Sequence, residues 1–202
     1  MVEPLPPAVA ATAKHRCMLC AGTTFTDLVV PGRCTMRRCE CCGFWVNADF
    51  EPEGDWSAHY GEGYQEGLYG RPAARKLRSA SYAVRCLEAL GGRGRLLDVG
   101  CSLGYVVAAA QARGLEAYGV DISHDAVEYC RRQGLDVRPG DMRHLPFADG
   151  FFDLVHARHV LEHDLEVYQS LAEMRRVLSP GGLLLLEVPD GEAPKVRRRG
   201  AS

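Results

Sequence analysis

From about residue 95 the chain alternates short apolar runs with stretches of helical period. Leu96, Leu97 and Val99 begin a series of buried-strand patterns near 95–99, 116–120, 135–138, 152–157 and 183–188. Between them the spacing predicts helices near 103–113, 124–133 and 165–178, the last with Val167, Leu171, Met174 and Leu178 on one side. An earlier helix is expected over 74–90, with Leu77, Tyr82, Leu87 and Leu90 among its apolar positions. Strands alternating with helices imply an α/β fold: a doubly wound, mostly parallel sheet with right-handed crossovers. Ligands in such sheets bind beyond the carboxyl ends of the strands. Asp98, Asp121, Asp141 and His159 all fall at or near such ends.

The first fifty residues follow a different logic. Six of the nine cysteines lie between positions 17 and 42, in the spacing Cys17-x2-Cys20-x18-Cys39-x2-Cys42. Each C-x2-C pair can place two thiolates on one tetrahedral ion, so Cys17, Cys20, Cys39 and Cys42 are read as ligands of a structural Zn²⁺. Phe25, Leu28, Val29 and Val30, and then Phe44, Trp45 and Val46, supply short ribbon strands. Gly22 and Gly43 follow the two pairs, where positive φ is expected. Arg33, Arg37 and Arg38 are expected to offset the −2 charge of a four-thiolate zinc. Cys34 is spare, and Cys41 is spare unless it exchanges with Cys39 or Cys42. About 35 residues bury too little apolar surface to fold unaided, so the metal is the staple.

The domain reading is therefore a disordered leader (1–14), a small N-terminal zinc ribbon (15–50), a linker or lid (51–73), the α/β domain (74–190) and a basic tail (191–202). The 202 residues carry a net charge of −2, 47% hydrophobic and 25% charged residues, which gives no general pull toward nucleic acid or anionic membrane. No apolar run reaches a membrane-spanning length, and no secretory signal is visible. With nine cysteines, an odd number, a reducing cytoplasm and a metal suit the chain better than disulfides.

The chemistry is concentrated in Asp98-Val-Gly100-Cys101-Ser102-Leu-Gly104 and in Asp121. A strand, a glycine turn, a helix and then an acid about 20 residues on describe a nucleoside-binding unit whose acid meets ribose hydroxyls. A dinucleotide site needs G-x-G-x-x-G; here Ser102 stands at the second glycine, and no Walker-type phosphate loop occurs. The D-x-G-x-x-x-G form resembles motif I of the class I S-adenosylmethionine (SAM) methyltransferases. Gly140-Asp-Met, Leu145-Pro-Phe-Ala-Asp-Gly-Phe-Phe-Asp-Leu-Val, His159-Val-Leu-Glu-His and Val177-Leu-Ser-Pro-Gly-Gly-Leu resemble later segments of that family in the same order. The resemblance covers roughly residues 75–190. It implies a Rossmann-like SAM-binding fold, with Asp98, Gly100, Cys101, Ser102 and Gly104 at the first cofactor turn. Asp121, with Ile122 beside it, would hold the ribose, and Asp141 with Met142 the adenine. The glycine- and aromatic-rich stretch 52–72 reads as a linker or as a lid that brings Tyr64 or Tyr60 over the cofactor.

His159 and His163, after the fourth strand, are the candidate general bases, histidine being suited by its near-neutral titration. His156, inside the strand, reads as core. Gly100→Val is expected to abolish binding and leave the fold intact. The family normally has seven strands and this sequence supplies about five, so the fifth is expected to form an apolar edge, covered by a second copy or another partner. The leading reading is a methyltransferase acting on a small molecule such as a sugar or natural-product intermediate. The alternatives are an RNA or protein methyltransferase docked through the ribbon, and a shortened, non-catalytic SAM-binding or scaffold subunit.

Overall fold

A computed structural model describes residues 16–17, 19–30, 34–48, 73–164 and 166–190. The leader, Arg33, the linker with Tyr60 and Tyr64, and the basic tail lie outside the described residues. Two compact units are present: Met1–Gly54 with Glu162–Gln169 and Pro189–Ser202, and Asp55–Leu161 with Ser170–Val188. Among the described residues no helix is long and apolar enough to cross a membrane.

In the first unit, β1 (Phe25–Val30), β2 (Cys34–Cys39) and β3 (Trp45–Asn47) form an antiparallel sheet in that order. β2 is the strand that the hydrophobic pattern does not announce, since its sequence CTMRRC is largely polar. Its partner fixes it: every residue of β1 is paired, from Phe25 opposite Cys39 to Val30 opposite Cys34. Asp27 and Arg37 face each other in that register, and Arg37 donates from Nε and Nη2 to the two carboxylate oxygens at 2.7 Å each. Arg37 therefore neutralises Asp27 rather than the cysteine cluster. The Tyr168 hydroxyl donates to the Leu19 carbonyl within the same unit.

The second unit holds α1 (Ala73–Ala89), β4 (Arg95–Val99), α2 (Tyr105–Gln111), β5 (Glu116–Asp121), α3 (His124–Arg132), β6 (Asp136–Pro139) and β7 (Phe152–Arg158). A short 3-10 turn (Leu161–His163), α4 (Val167–Val177) and β8 (Leu178–Glu187) follow in the chain. The five strands are parallel in the order β6-β5-β4-β7-β8. The order reverses between β4 and β7, which makes the crevice beyond their carboxyl ends the expected ligand position.

Two apolar layers sandwich the sheet. Leu96 and Leu154 meet Val84, Leu87, Val107 and Ala110 on one face, while Leu97, Val99 and Val155 meet Phe152, Met174 and Val177 on the other. Of the apolar positions Leu77, Tyr82, Leu87 and Leu90 expected in helix α1, only Leu87 is buried. Ala80, Ala83, Val84 and Leu87 are inward, whereas Leu77, Tyr82 and Leu90 are exposed. The i, i+3, i+4, i+7 stripe of small residues lets the helix approach the sheet, and that spacing outweighs side-chain size. Strand β8 is the outer strand, with Leu183 and Leu185 packed inward and Leu184 and Leu186 partly exposed. Asp153 ties the base of the sheet together: it accepts the Arg95 N–H at 2.8 Å and the Ser179 hydroxyl at 3.3 Å.

Candidate functional site

Each C-x2-C pair forms the same local turn. The Cys17 N–H donates to the Gly22 carbonyl at 2.7 Å and the Cys39 N–H to the Phe44 carbonyl at 2.8 Å. The left-handed residue needed in each turn is Ala21 (φ 58°) in the first and Gly43 (φ 76°) in the second. Gly22, expected to have that conformation, does not: the requirement falls four residues after the first cysteine of each pair. The sulfurs of Cys17, Cys20, Cys39 and Cys42 all lie within 4.8 Å of one another. Two separate edges of this group, Cys17–Cys42 and Cys20–Cys39, are both 3.6 Å. Four sulfurs about 2.3 Å from one tetrahedral ion would be about 3.8 Å apart, so the donor set fits Zn²⁺.

Backbone N–H groups soften the thiolate charge. The Leu19 N–H reaches Cys17 Sγ at 3.4 Å. The backbone of Gly22, followed by the Cys42 side chain, lowers the Cys20 thiol to about 7. The Arg38 guanidinium lies against Gly43, where an added Cβ would be 3.3 Å from its Nη2. Purified protein is expected to hold one equivalent of zinc by elemental analysis. Cys39→Ser should release it and remove much of the roughly 10–16 kcal/mol that a structural zinc contributes to a small module. Full zinc retention in C39S would contradict the ligand set.

In the second unit the glycine turn is hooked onto the end of β5. The Gly100 and Cys101 N–H groups donate to the Val120 carbonyl at 2.8 and 3.0 Å. The Ser102 N–H donates to Asp121 Oδ2 at 2.7 Å, and the Ser123 N–H to Asp121 Oδ1 at 2.9 Å. A carboxylate has about four acceptor positions, so these bonds orient Asp121 and leave about two for a ligand. Ser123 also caps α3, its hydroxyl accepting from the Ala126 N–H at 3.4 Å. Ser102 (φ 49°) and His159 (φ 52°) are left-handed although neither is glycine. They follow β4 and β7, so this unfavourable backbone borders the crevice between those two strands.

The glycines make room for the protein itself. A Cβ on Gly100 would lie 2.7 Å from Val160 Cγ2, and one on Gly104 would lie 2.5 Å from Leu135 Cδ1. Both residues have φ near 70°. The expectation that Gly100→Val would leave the fold intact is therefore corrected: the substitution strains the turn and collides with Val160. Cys101 is similarly turned inward. Its thiol packs in the core, 2.7 Å from where a Cβ on Gly119 would be, so Cys101 can offer a ligand only its backbone.

Asp98 is buried opposite His156 in the β4–β7 register, and His156 Nδ1 lies 2.6 Å from its Oδ1. Asp98 does not hold the glycine turn; Val120 and Asp121 do. Burial pushes the Asp121 carboxyl above its ordinary range despite the Ser123 and Ser102 N–H bonds, and the nearby Asp98 adds to the rise. Among the described residues no lysine or arginine pairs with Asp98 or Asp121. Two crowded acids favour a cationic, hydroxyl-bearing ligand over a pyrophosphate, and the Ser102 N–H that an anion would need is already taken. SAM, with its sulfonium, its ammonium and a ribose, fits these residues.

Asp141 follows β6 and is gripped by Arg143, with Nη2 at 2.5 Å from Oδ2 and the Arg143 N–H at 2.9 Å from Oδ1. Burial alone would raise this carboxyl, but the Arg143 bonds outweigh it and hold it low. Met142 packs on the apolar layer of Leu97, Val99 and Val155, and Ile122 is half-buried just after Asp121. His159 is exposed beyond β7; its N–H donates to the Glu187 carbonyl at 2.9 Å, and its Nε2 lies 3.7 Å from Glu187 Oε1. His163 ends the 3-10 turn and belongs to the first unit, and Tyr64 lies outside the described residues. The sequence reading missed the Asp98–His156 pair. The signal was available, since a histidine within a strand of otherwise apolar inward positions requires a buried partner.

Residues 97–186 match a family described as a methyltransferase domain. The α/β unit thus carries the match to a methyltransferase domain and has the Rossmann-like fold of SAM-dependent methyltransferases. The norajmaline N-methyltransferase of Rauvolfia serpentina is 30% identical over 156 residues, covering 67% of this chain and 53% of that protein. An uncharacterised 37.1 kDa protein in transposon TN4556 of Streptomyces fradiae is 35% identical over 139 residues, covering 64% of this chain and 39% of that one. The crystal structure of the PH0226 protein of Pyrococcus horikoshii OT3 superposes with a TM-score of 0.52 at 29% identity, covering 57% of this chain and 58% of that one. The chain spans about half or less of the length of these curated relatives. Residues 97–186 fall in the α/β part of the chain, and the four cysteines lie outside that match.

Proposed function

We propose that this chain is a SAM-dependent methyltransferase acting on a small-molecule acceptor. The observation that carries the cofactor reading is Asp121, a carboxylate at the carboxyl end of β5 that is fixed by two backbone N–H groups, with a second buried acid, Asp98, on the neighbouring β4. The norajmaline enzyme, named for a small acceptor, supports the substrate class. When bound, SAM supplies a methyl group on a sulfonium, open to in-line displacement. The protein's share is alignment: Asp121 takes the ribose hydroxyls, Asp98 the ammonium, and the turn from Gly100 to Gly104 holds the backbone against the cofactor. His159, exposed beyond β7 with Glu187 beside its imidazole, is the proposed general base for an acceptor O–H or N–H.

Turnover of methyl-labelled SAM by the purified chain against small amines and hydroxylated metabolites tests this reading. Labelled product is expected with at least one such acceptor, and His159→Ala should lower kcat by about 100-fold or more while SAM affinity is kept. Label transferred only to RNA or protein would overturn the substrate class. Binding without transfer to any acceptor would overturn the enzyme reading.

A further inference from the structure

His156 has a buried environment that hydrophobic packing does not explain. It shares one face of the sheet with Leu96 and Leu154, and its register neighbours are Asp98 on β4 and Leu185 on β8. Leucine would fit such a place. Instead the imidazole is 1% exposed, with Nδ1 at 2.6 Å from Asp98 Oδ1 and Nε2 buried without a hydrogen-bond partner. Since a carboxylate oxygen accepts, Nδ1 is assigned as the donor of this bond.

Asp98 has no other partner among the described residues, and its side chain keeps 6% exposure. The next inward residue of β7, Arg158, is engaged elsewhere, with Ser79 and with Glu187. The imidazole thus fixes the rotation of the Asp98 carboxyl near the carboxyl end of β4.

We infer that His156 is a positioning residue for the amino-acid end of the cofactor: its Nδ1–H holds Asp98 as the acceptor for the ligand's ammonium group. The inference rests on the proposed SAM reading. No covalent step is involved. A bond donated by a charged group to a fixed carboxylate is stronger than its neutral counterpart and depends closely on geometry.

The test compares two neutral thioethers that share an adenosine: S-adenosylhomocysteine, which carries the amino-acid end, and 5′-methylthioadenosine, which lacks it. Calorimetric affinities are measured for the full chain as wild type, His156→Leu and His156→Asn. H156L is expected to bind S-adenosylhomocysteine about tenfold or more weakly and methylthioadenosine unchanged. H156N, whose amide nitrogen can stand where Nδ1 stood, should restore most of the loss. If H156L does not melt cooperatively, H156Q replaces it: bulk and polarity are kept, the donor is moved to the Nε2 position, and the same split is expected. Equal weakening of both ligands, or no weakening of either, would overturn the role of His156 while leaving the cofactor reading intact. Failure of the wild type to bind S-adenosylhomocysteine would overturn the cofactor reading and this inference with it.

Discussion

Asp121→Ala is expected to weaken SAM binding by about 10- to 150-fold, the equivalent of the roughly 1.5–3 kcal/mol typical of a hydrogen bond to a charged group. The carboxylate already accepts from Ser102 and Ser123, and these two bonds orient its remaining acceptor positions. Asparagine has the same shape, yet one end of its amide is a donor and would face a backbone N–H, so Asp121→Asn should lose most of the same affinity. Thermal stability should change little. The variant orphans two backbone donors, but it also removes a carboxylate whose charge burial disfavours, as the raised Asp121 titration shows. The same shift fixes the sign of the pH dependence. The ionised form binds, so SAM affinity should fall as pH drops through the Asp121 titration, at a higher pH than an ordinary aspartate would require. Calorimetry at several pH values checks both points, and an unchanged affinity in D121A would remove Asp121 from the site.

Gly100→Val is expected to cost stability as well as binding. A β-branched residue at φ 69° costs about 1–2 kcal/mol, and a Cβ placed 2.7 Å from Val160 Cγ2 adds about 1–3 kcal/mol of overpacking. Together these put the loss at about 2–5 kcal/mol, which would show as a lowered midpoint in thermal or urea denaturation. The contact makes a further prediction. In a Gly100→Ala background, Val160→Ala should recover part of the stability, because it removes the clash but not the left-handed strain. A G100V protein as stable as the wild type would mean that the turn can move away from Val160.

Most of the fold can be read in the sequence because its signals are local. Buried parallel strands such as Leu96–Val99 and Phe152–Ala157 are predominantly apolar, and the cysteine spacing places both ribbon turns at once. What could not be read depends on contacts between distant segments. Strand β2 is polar and becomes a strand by pairing with β1. Helix α1 buries Ala80, Ala83 and Val84 together with Leu87 and leaves Leu77 and Tyr82 exposed, since closeness to the sheet decides which side faces inward. Arg37 is near the cysteines in sequence, but the register puts it opposite Asp27.

The site divides in the same way. Asp98, Asp121 and Asp141 were placed at strand ends by pattern alone, and all three lie there. The partners that give each acid its character (His156, two backbone N–H groups and Arg143) come from register and turn geometry that no motif spells out. The glycine turn follows β4 as the pattern implies, and its missing side chains accommodate Val160 and Leu135.

The central claim is that an adenosyl cofactor sits beyond β4 and β5 with its sugar on Asp121. A crystal structure of the chain with S-adenosylhomocysteine is the most direct measurement. The account predicts both ribose hydroxyls within hydrogen-bonding distance of the Asp121 carboxylate and the homocysteine ammonium at Asp98. Clear density for the ligand elsewhere, with Asp121 bonded only to its own backbone, would contradict it.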